Sequence, residues 1–193
     1  MKITNYAISK FLTLEEAVIK DYVVWLQHVN PIANLKKGNK TYGVKESLTE
    51  LKYREVSELK RHVGNRNFES ISRCIEIAYK LNKKQIERLP IVTFYGCVNF
   101  IVKQMEMIYN MERVHYAVES DEDDYLLEEA GSLELQKFED LPIIDTLANG
   151  VILDYDKIEE LPYIKVHVAI WYRTTRDSVK KKYEKLITKK LNH

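Results

Sequence analysis

Histidine, cysteine and clustered acids are the side chains best suited to catalysis or metal binding in this chain, and their spacing matches none of the familiar sites. The five histidines, His28, His62, His115, His167 and His193, are dispersed, and none forms the i, i+4 histidine pair of a zinc helix. His167 falls in a helix of mixed polarity and reads as a packing or surface residue rather than a general base. Cys74 and Cys97 fall on the apolar side of predicted helices without C-x-x-C spacing, the pattern of small core residues. The run Asp121-Glu122-Asp123-Asp124 offers the oxygens that hard cations prefer. It lacks the alternating spacing and closing glutamate of a calcium loop, so it reads as a solvated linker or an acidic strip for a partner. No Walker-type, dinucleotide-binding or nucleophile-elbow glycine motif occurs. The residues therefore predict no catalytic, metal or cofactor site.

A basic stretch near the C-terminus is the strongest binding candidate. Between Arg173 and Lys190 there are eight bases and two acids, Asp177 and Glu184, with Arg173, Arg176, Lys180, Lys181 and Lys182 beside Tyr172 and Tyr183. Such residues suit the solvated face of a C-terminal helix, an acidic protein partner, or phosphates through charge neutralisation. Ten acids and one base, Lys137, fill the stretch from Glu119 to Asp140. Acidic and basic segments of this kind can offset each other within one chain or between neighbours.

The elements that must position these residues follow from composition and period. The chain has 193 residues, 45% hydrophobic and 31% charged, with a net charge of +1. That balance excludes the overall basic field of a dedicated nucleic-acid binder. No apolar run is long enough for a membrane span, and Met1-Lys2-Ile3-Thr4-Asn5 has no signal-peptide block. Two cysteines point to a reducing compartment. Six glycines and four prolines are too few for a sandwich or barrel, whereas 13 tyrosines suit protein-contacting surfaces.

An all-α fold of six or seven helices is predicted. A Thr13–Glu16 capping box opens the first, whose apolar face is Leu14, Val18, Tyr22, Trp25, Leu26 and Val29. Residues 34–43 read as an exposed basic loop. A helix over 47–63 starts at a Ser47–Glu50 box and stops at Gly64, and another spans 68–81. After a short capped turn at 82–90, the longest helix runs over 91–117 on Ile91, Phe94, Val98, Ile101, Met105 and Ile108. Helix returns near Pro142 and stops at Asn149-Gly150, and the last helix runs from Pro162 to near Leu191. The predicted division is a helical unit 1–118, an acidic segment 119–141 and a helical unit 142–193, with one compact domain overall as the alternative.

Shifting the chain by 72 residues aligns Leu81–Pro90 with Leu153–Pro162. Five positions are identical, Leu81/Leu153, Ile86/Ile158, Glu87/Glu159, Leu89/Leu161 and Pro90/Pro162, and Asn82/Asp154 are both good N-caps. The predicted unit is a capped turn, an inward isoleucine, and a Leu-Pro corner that redirects the chain into a long helix. Leu89, Pro90, Leu161 and Pro162 are the structural corners of two related helical units.

The segment from Leu81 to Phe94 resembles a pattern in tail-assembly proteins of tailed bacteriophages, where a polar turn ending in Ile/Leu-Glu-x-Leu-Pro leads into a hydrophobic helix. Asp154–Pro162, followed by Trp171-Tyr172, is similar to a segment of small phage structural and chaperone proteins. Together they cover about a sixth of the chain. The resemblance implies a non-enzymatic virion structural or tail-assembly protein, an oligomer or a partner of other phage structural proteins, away from membranes. It would work in the host cytoplasm during assembly or in the particle. The alternative reading is a helical nucleic-acid-associated regulator that uses the basic C-terminal helix.

Overall fold

The computed structural model describes residues 3–37, 39–44, 46–65, 67–117 and 129–191. The fold is mainly helical, and the described residues contain more helical segments than expected because several are only one or two turns long. The chain divides into two compact units, Met1–Ile108 and Tyr109–His193, so the division falls within the helix Ile91–His115, which at 25 residues is shorter than the 29-residue helix Tyr163–Leu191 and not, as expected, the longest. The boundary predicted after residue 118 lies outside the described residues, as do Asp121, Glu122, Asp123 and Asp124.

The first unit holds α1 (Ile8–Phe11), α2 (Glu16–Leu26), β1 (Asn34–Lys37), β2 (Lys40–Gly43), α3 (Tyr53–Val63), α4 (Phe68–Tyr79), α5 (Lys83–Glu87) and most of α6 (Ile91–His115). Its core forms around α6, where Ile91, Phe94, Cys97, Ile101, Met105 and Ile108 are buried. All but one of the predicted stripe positions are buried; Val98 is half-buried and Cys97 takes the inner place beside it. Val56 and Leu59 of α3, Ile75 and Tyr79 of α4, and Ile86 of α5 complete that core. α3 and α4 are also joined by Arg73, whose guanidinium donates to Glu58 at 2.7 Å and to Glu76 at 3.0 Å. The bond from Arg73 holds the Glu58 carboxyl below the usual carboxylate range.

Three local expectations are corrected. Residues 34–43 form an antiparallel hairpin, with Leu35 opposite Tyr42 and Lys37 opposite Lys40, rather than a loop. The fold is therefore not purely α. The two residues between the paired ends, Gly38-Asn39, belong to the dipeptide class that closes hairpins, and that signal outweighs the basic composition. Thr13 does not cap α2: its hydroxyl donates to the Lys10 carbonyl at 2.8 Å and closes the end of α1, while Trp25 lies largely exposed. The helix expected over 47–63 is split. Ser47 caps a 3₁₀ turn, Leu48–Glu50, while the Gln104 side-chain oxygen of α6 takes the Ser47 hydroxyl and the Leu48 N–H. Leu51 is extended, and α3 starts after Lys52, whose N–H is taken by Glu55 at 3.2 Å.

Two backbone approaches fix the hairpin and the 27–33 segment. Ile32 N–H donates to the Gly96 carbonyl at 2.9 Å, Tyr79 O–H donates to the Ile32 carbonyl, and the Asn99 amide donates to the carbonyls of Leu26, Gln27 and Val29. Gly43 ends β2 at φ +112°, and a Cβ there would stand 2.2 Å from the Ala33 carbonyl oxygen. Only glycine fits that position.

The second unit comprises the end of α6, a 3₁₀ helix at Ser132–Phe138, α7 (Leu141–Leu147), α8 (Tyr155–Glu159) and α9 (Tyr163–Leu191). The 3₁₀ helix lies within the stretch expected as an acidic linker. Asn149 and Gly150 follow α7 in the left-handed region, at φ 52° and 75°, the stop the sequence predicts.

Gly43→Ala should lower stability by about 1–3 kcal/mol through backbone strain, read as a lower urea midpoint. The thiols of Cys74 and Cys97, ordinarily near 9, are pushed up to about 11 by burial. The folded chain thus holds these protons after the unfolded chain has lost them, so stability is fully present below pH 9 and declines as pH rises toward 11. In the native state both thiols should resist alkylation at pH 8, and urea should expose both together.

Candidate partner-binding site

The two Leu-Pro corners have matching backbones. In each, a five-residue helix, Lys83–Glu87 or Tyr155–Glu159, is followed by a turn residue, Leu-Pro, and a long helix beginning at Ile91 or Tyr163. Leu89 N–H donates to Ile86 and Leu161 N–H to Ile158, at 2.9 and 3.1 Å. Proline suits this junction because its ring fixes a helical φ and the first turn needs no N–H donor from it. The surroundings differ. Asn82 caps α5, whereas Asp154 caps nothing and pairs with Lys157 at 2.6 Å, which corrects that expectation. Leu81 is buried, but Leu153 is 86% exposed.

The second corner starts α9, whose first turns are held by a network that sequence reasoning missed. His167 is fully buried. Its Nε2 lies 2.8 Å from His115 Nδ1 and its Nδ1 lies 2.6 Å from the Tyr116 hydroxyl. The His115 ring stacks on Trp171 at 3.9 Å with an interplanar angle of 5°. Tyr163, also buried, donates its hydroxyl to Glu112. Burial, with the Glu112 charge as a smaller cause, pushes the Tyr116 phenol far above its usual value. It stays neutral and can donate.

These are acid–base groups by type, but both His167 nitrogens are engaged within the fold. The bond between the two histidines holds one proton, since two would face each other across 2.8 Å. The network joins the last turn of α6 to the start of α9. No single stretch of sequence announces it, because His115 and His167 stand 52 residues apart. The one local signal is Tyr163, His167 and Trp171, polar-tipped aromatics one turn apart.

Beyond the network, Arg173 is committed to the fold. Its guanidinium donates to the Thr146 carbonyl and to Asn149 Oδ1, at the C-terminal end of α7, where unpaired carbonyls favour a cation. Arg176 pairs with its neighbour Asp177 at 3.0 Å, and Lys180 faces Glu184 at 3.8 Å. Lys181 and Lys182 lie exposed along the same helix. Val179, Tyr183, Leu186 and Ile187 are exposed, the first three by about three-fifths each. Val179, Tyr183 and Leu186 share one face at spacings of four and three, and Tyr172 extends the row. The outer part of α9 is a row of apolar and aromatic side chains edged by lysines, anchored at one end by His167 and Arg173.

Among the described residues no group of three or more His, Cys, Asp or Glu side chains could hold a metal ion, and no helix is long and apolar enough to cross a membrane. Comparison with protein families, curated proteins and solved structures yields no match.

His167→Phe keeps an aromatic ring, somewhat larger, but leaves the Tyr116 hydroxyl and His115 Nδ1 without that partner. The expected cost is about 1–3 kcal/mol, read by thermal unfolding with loss of the near-UV signal of the Trp171 stack.

Proposed function

We propose that the chain acts by binding another protein through the outer half of α9, as a structural or assembly component of the tail or virion of a tailed bacteriophage. The carrying observation is the exposed row of Val179, Tyr183 and Leu186 on a helix that is fixed at its base. A solvated helix gains nothing from an apolar row, while a docking helix lays such a row into a partner's groove at this spacing. Tyr172 and Tyr183 offer large contact area with little rotamer freedom to lose. The lysines at 180–182 favour a groove with an acidic rim, which speeds encounter and fixes orientation. A helix made for nucleic acid needs the lysines and not the apolar row, so the row favours a protein partner. The phage attribution draws on the resemblance of the two Leu-Pro segments, and the matching corner backbones are consistent with two related helical units.

The neighbouring reading frames should encode virion parts such as a tail tube or tape measure, and the purified chain should bind one of their products. Val179→Asp with Leu186→Asp should weaken that binding by about tenfold or more, with helix content unchanged by circular dichroism. Neighbours unrelated to a virion, together with unaltered light scattering across concentration, would overturn the reading.

A further inference from the structure

The first unit carries a separate feature that docking through α9 does not use. A cleft of about 550 Å³ opens between the hairpin and the Leu89-Pro90 corner. That volume lies in the range of small-ligand sites, about 300–1,000 Å³. Three cations line it from two parts of the chain: Lys36 of β1, and Lys84 of α5 with Arg88, the residue that ends α5. None of the three has an ion-pair partner among the described residues. Among the described residues no carboxylate lines the cleft, although the chain as a whole is nearly neutral.

The uncharged polar groups point to the same ligand chemistry. Asn82 and Gln85 hold each other in a reciprocal cap, in which Gln85 Oε1 accepts the Asn82 N–H at 2.9 Å and Asn82 Oδ1 accepts the Gln85 N–H at 3.0 Å. With their oxygens so engaged, each amide still offers its NH₂ donor. Tyr42 and Thr93, which also line the cleft, are hydroxyl-bearing residues. The remainder of the lining is apolar: Leu35, Leu81, Leu89 and Pro90. A wall of cations and spare donors selects a ligand rich in anionic acceptors, and the apolar side selects a flat or apolar moiety attached to them.

We propose that this cleft binds a soluble phosphorylated small molecule, with Lys36, Lys84 and Arg88 neutralising the phosphates and Tyr42 with the leucines holding the ring or chain that bears them. A nucleoside diphosphate has this chemistry and serves as the probe. The cleft forms only because residues 34–43 fold into a hairpin, which brings Lys36 and Tyr42 to the same wall as Lys84 and Arg88.

The test is calorimetric titration of the full chain at low salt with ADP, pyrophosphate and adenosine, and sedimentation with phosphatidylcholine vesicles carrying phosphatidic acid. ADP should bind at one site, pyrophosphate more weakly, and adenosine and the vesicles not at all. Lys84→Glu with Arg88→Glu should weaken ADP by about tenfold or more, because two phosphate-neutralising charges are reversed. Tyr42→Ala should weaken ADP and leave pyrophosphate unchanged. Absence of ADP and pyrophosphate binding, equal binding by the charge-reversed chain with native circular dichroism, or binding to the vesicles alone would each overturn the proposal.

Discussion

Pro90 has no N–H to give to a preceding turn, and much of the first unit depends on how the chain accommodates that. α5 ends, and the corner is stitched on either side of the proline by a different segment. Ile8 N–H donates to the Leu89 carbonyl at 2.9 Å, and Ile91 N–H donates to the Tyr6 carbonyl at 2.8 Å. Ala7 and Pro90 form an isolated antiparallel bridge in which the proline's missing donor is not required. The N-terminal segment is thereby fixed against the corner, α1 comes next with Ile8 and Phe11 buried, and α6 leaves at the angle that carries its apolar stripe through the core.

The second corner has the same backbone, but different contacts secure the helix beyond it. No reciprocal cap precedes it, and the residue before Asp154 is exposed where its counterpart is buried. α9 is instead held from the side, by buried hydrogen bonds at His167 and by Arg173 at the end of α7. Such contacts are strong where water is excluded and lapse where the helix runs out into solvent. The result is one helix with a fixed base and an outer half whose apolar side chains are uncovered by the chain itself.

That contrast separates two kinds of legibility. The stripe of α6, the stop at Asn149-Gly150 and the Leu-Pro junctions are legible directly, because each depends on a period of 3.6 or on the φ preference of one residue. Local signals fail where another group competes for the same atoms. Thr13 has the right type and spacing to cap α2, but its hydroxyl is taken up by the Lys10 carbonyl. Ser47 and Glu50 have the types and spacing of a capping box, but Gln104, far along the chain, takes the Leu48 N–H. The hairpin differs again: its basic composition suggests a loop, and the Gly38-Asn39 dipeptide between two short runs is the signal that decides.

The sequence by itself determined that the chain is mainly helical, where its long helices begin, and that its charges are sorted into an acidic middle and a basic end. These properties are local, set by side-chain period, caps and proline geometry within about ten residues. The tertiary structure alone decided that His115, Tyr116 and His167 share one buried network, that the outer apolar positions of α9 face water, and that Lys36 of the hairpin joins Lys84 and Arg88 at one cleft. Each of these depends on contacts between residues far apart in the chain, whose meeting costs loop-closure entropy and is decided by the packing of the whole unit, not by any pattern in a short window.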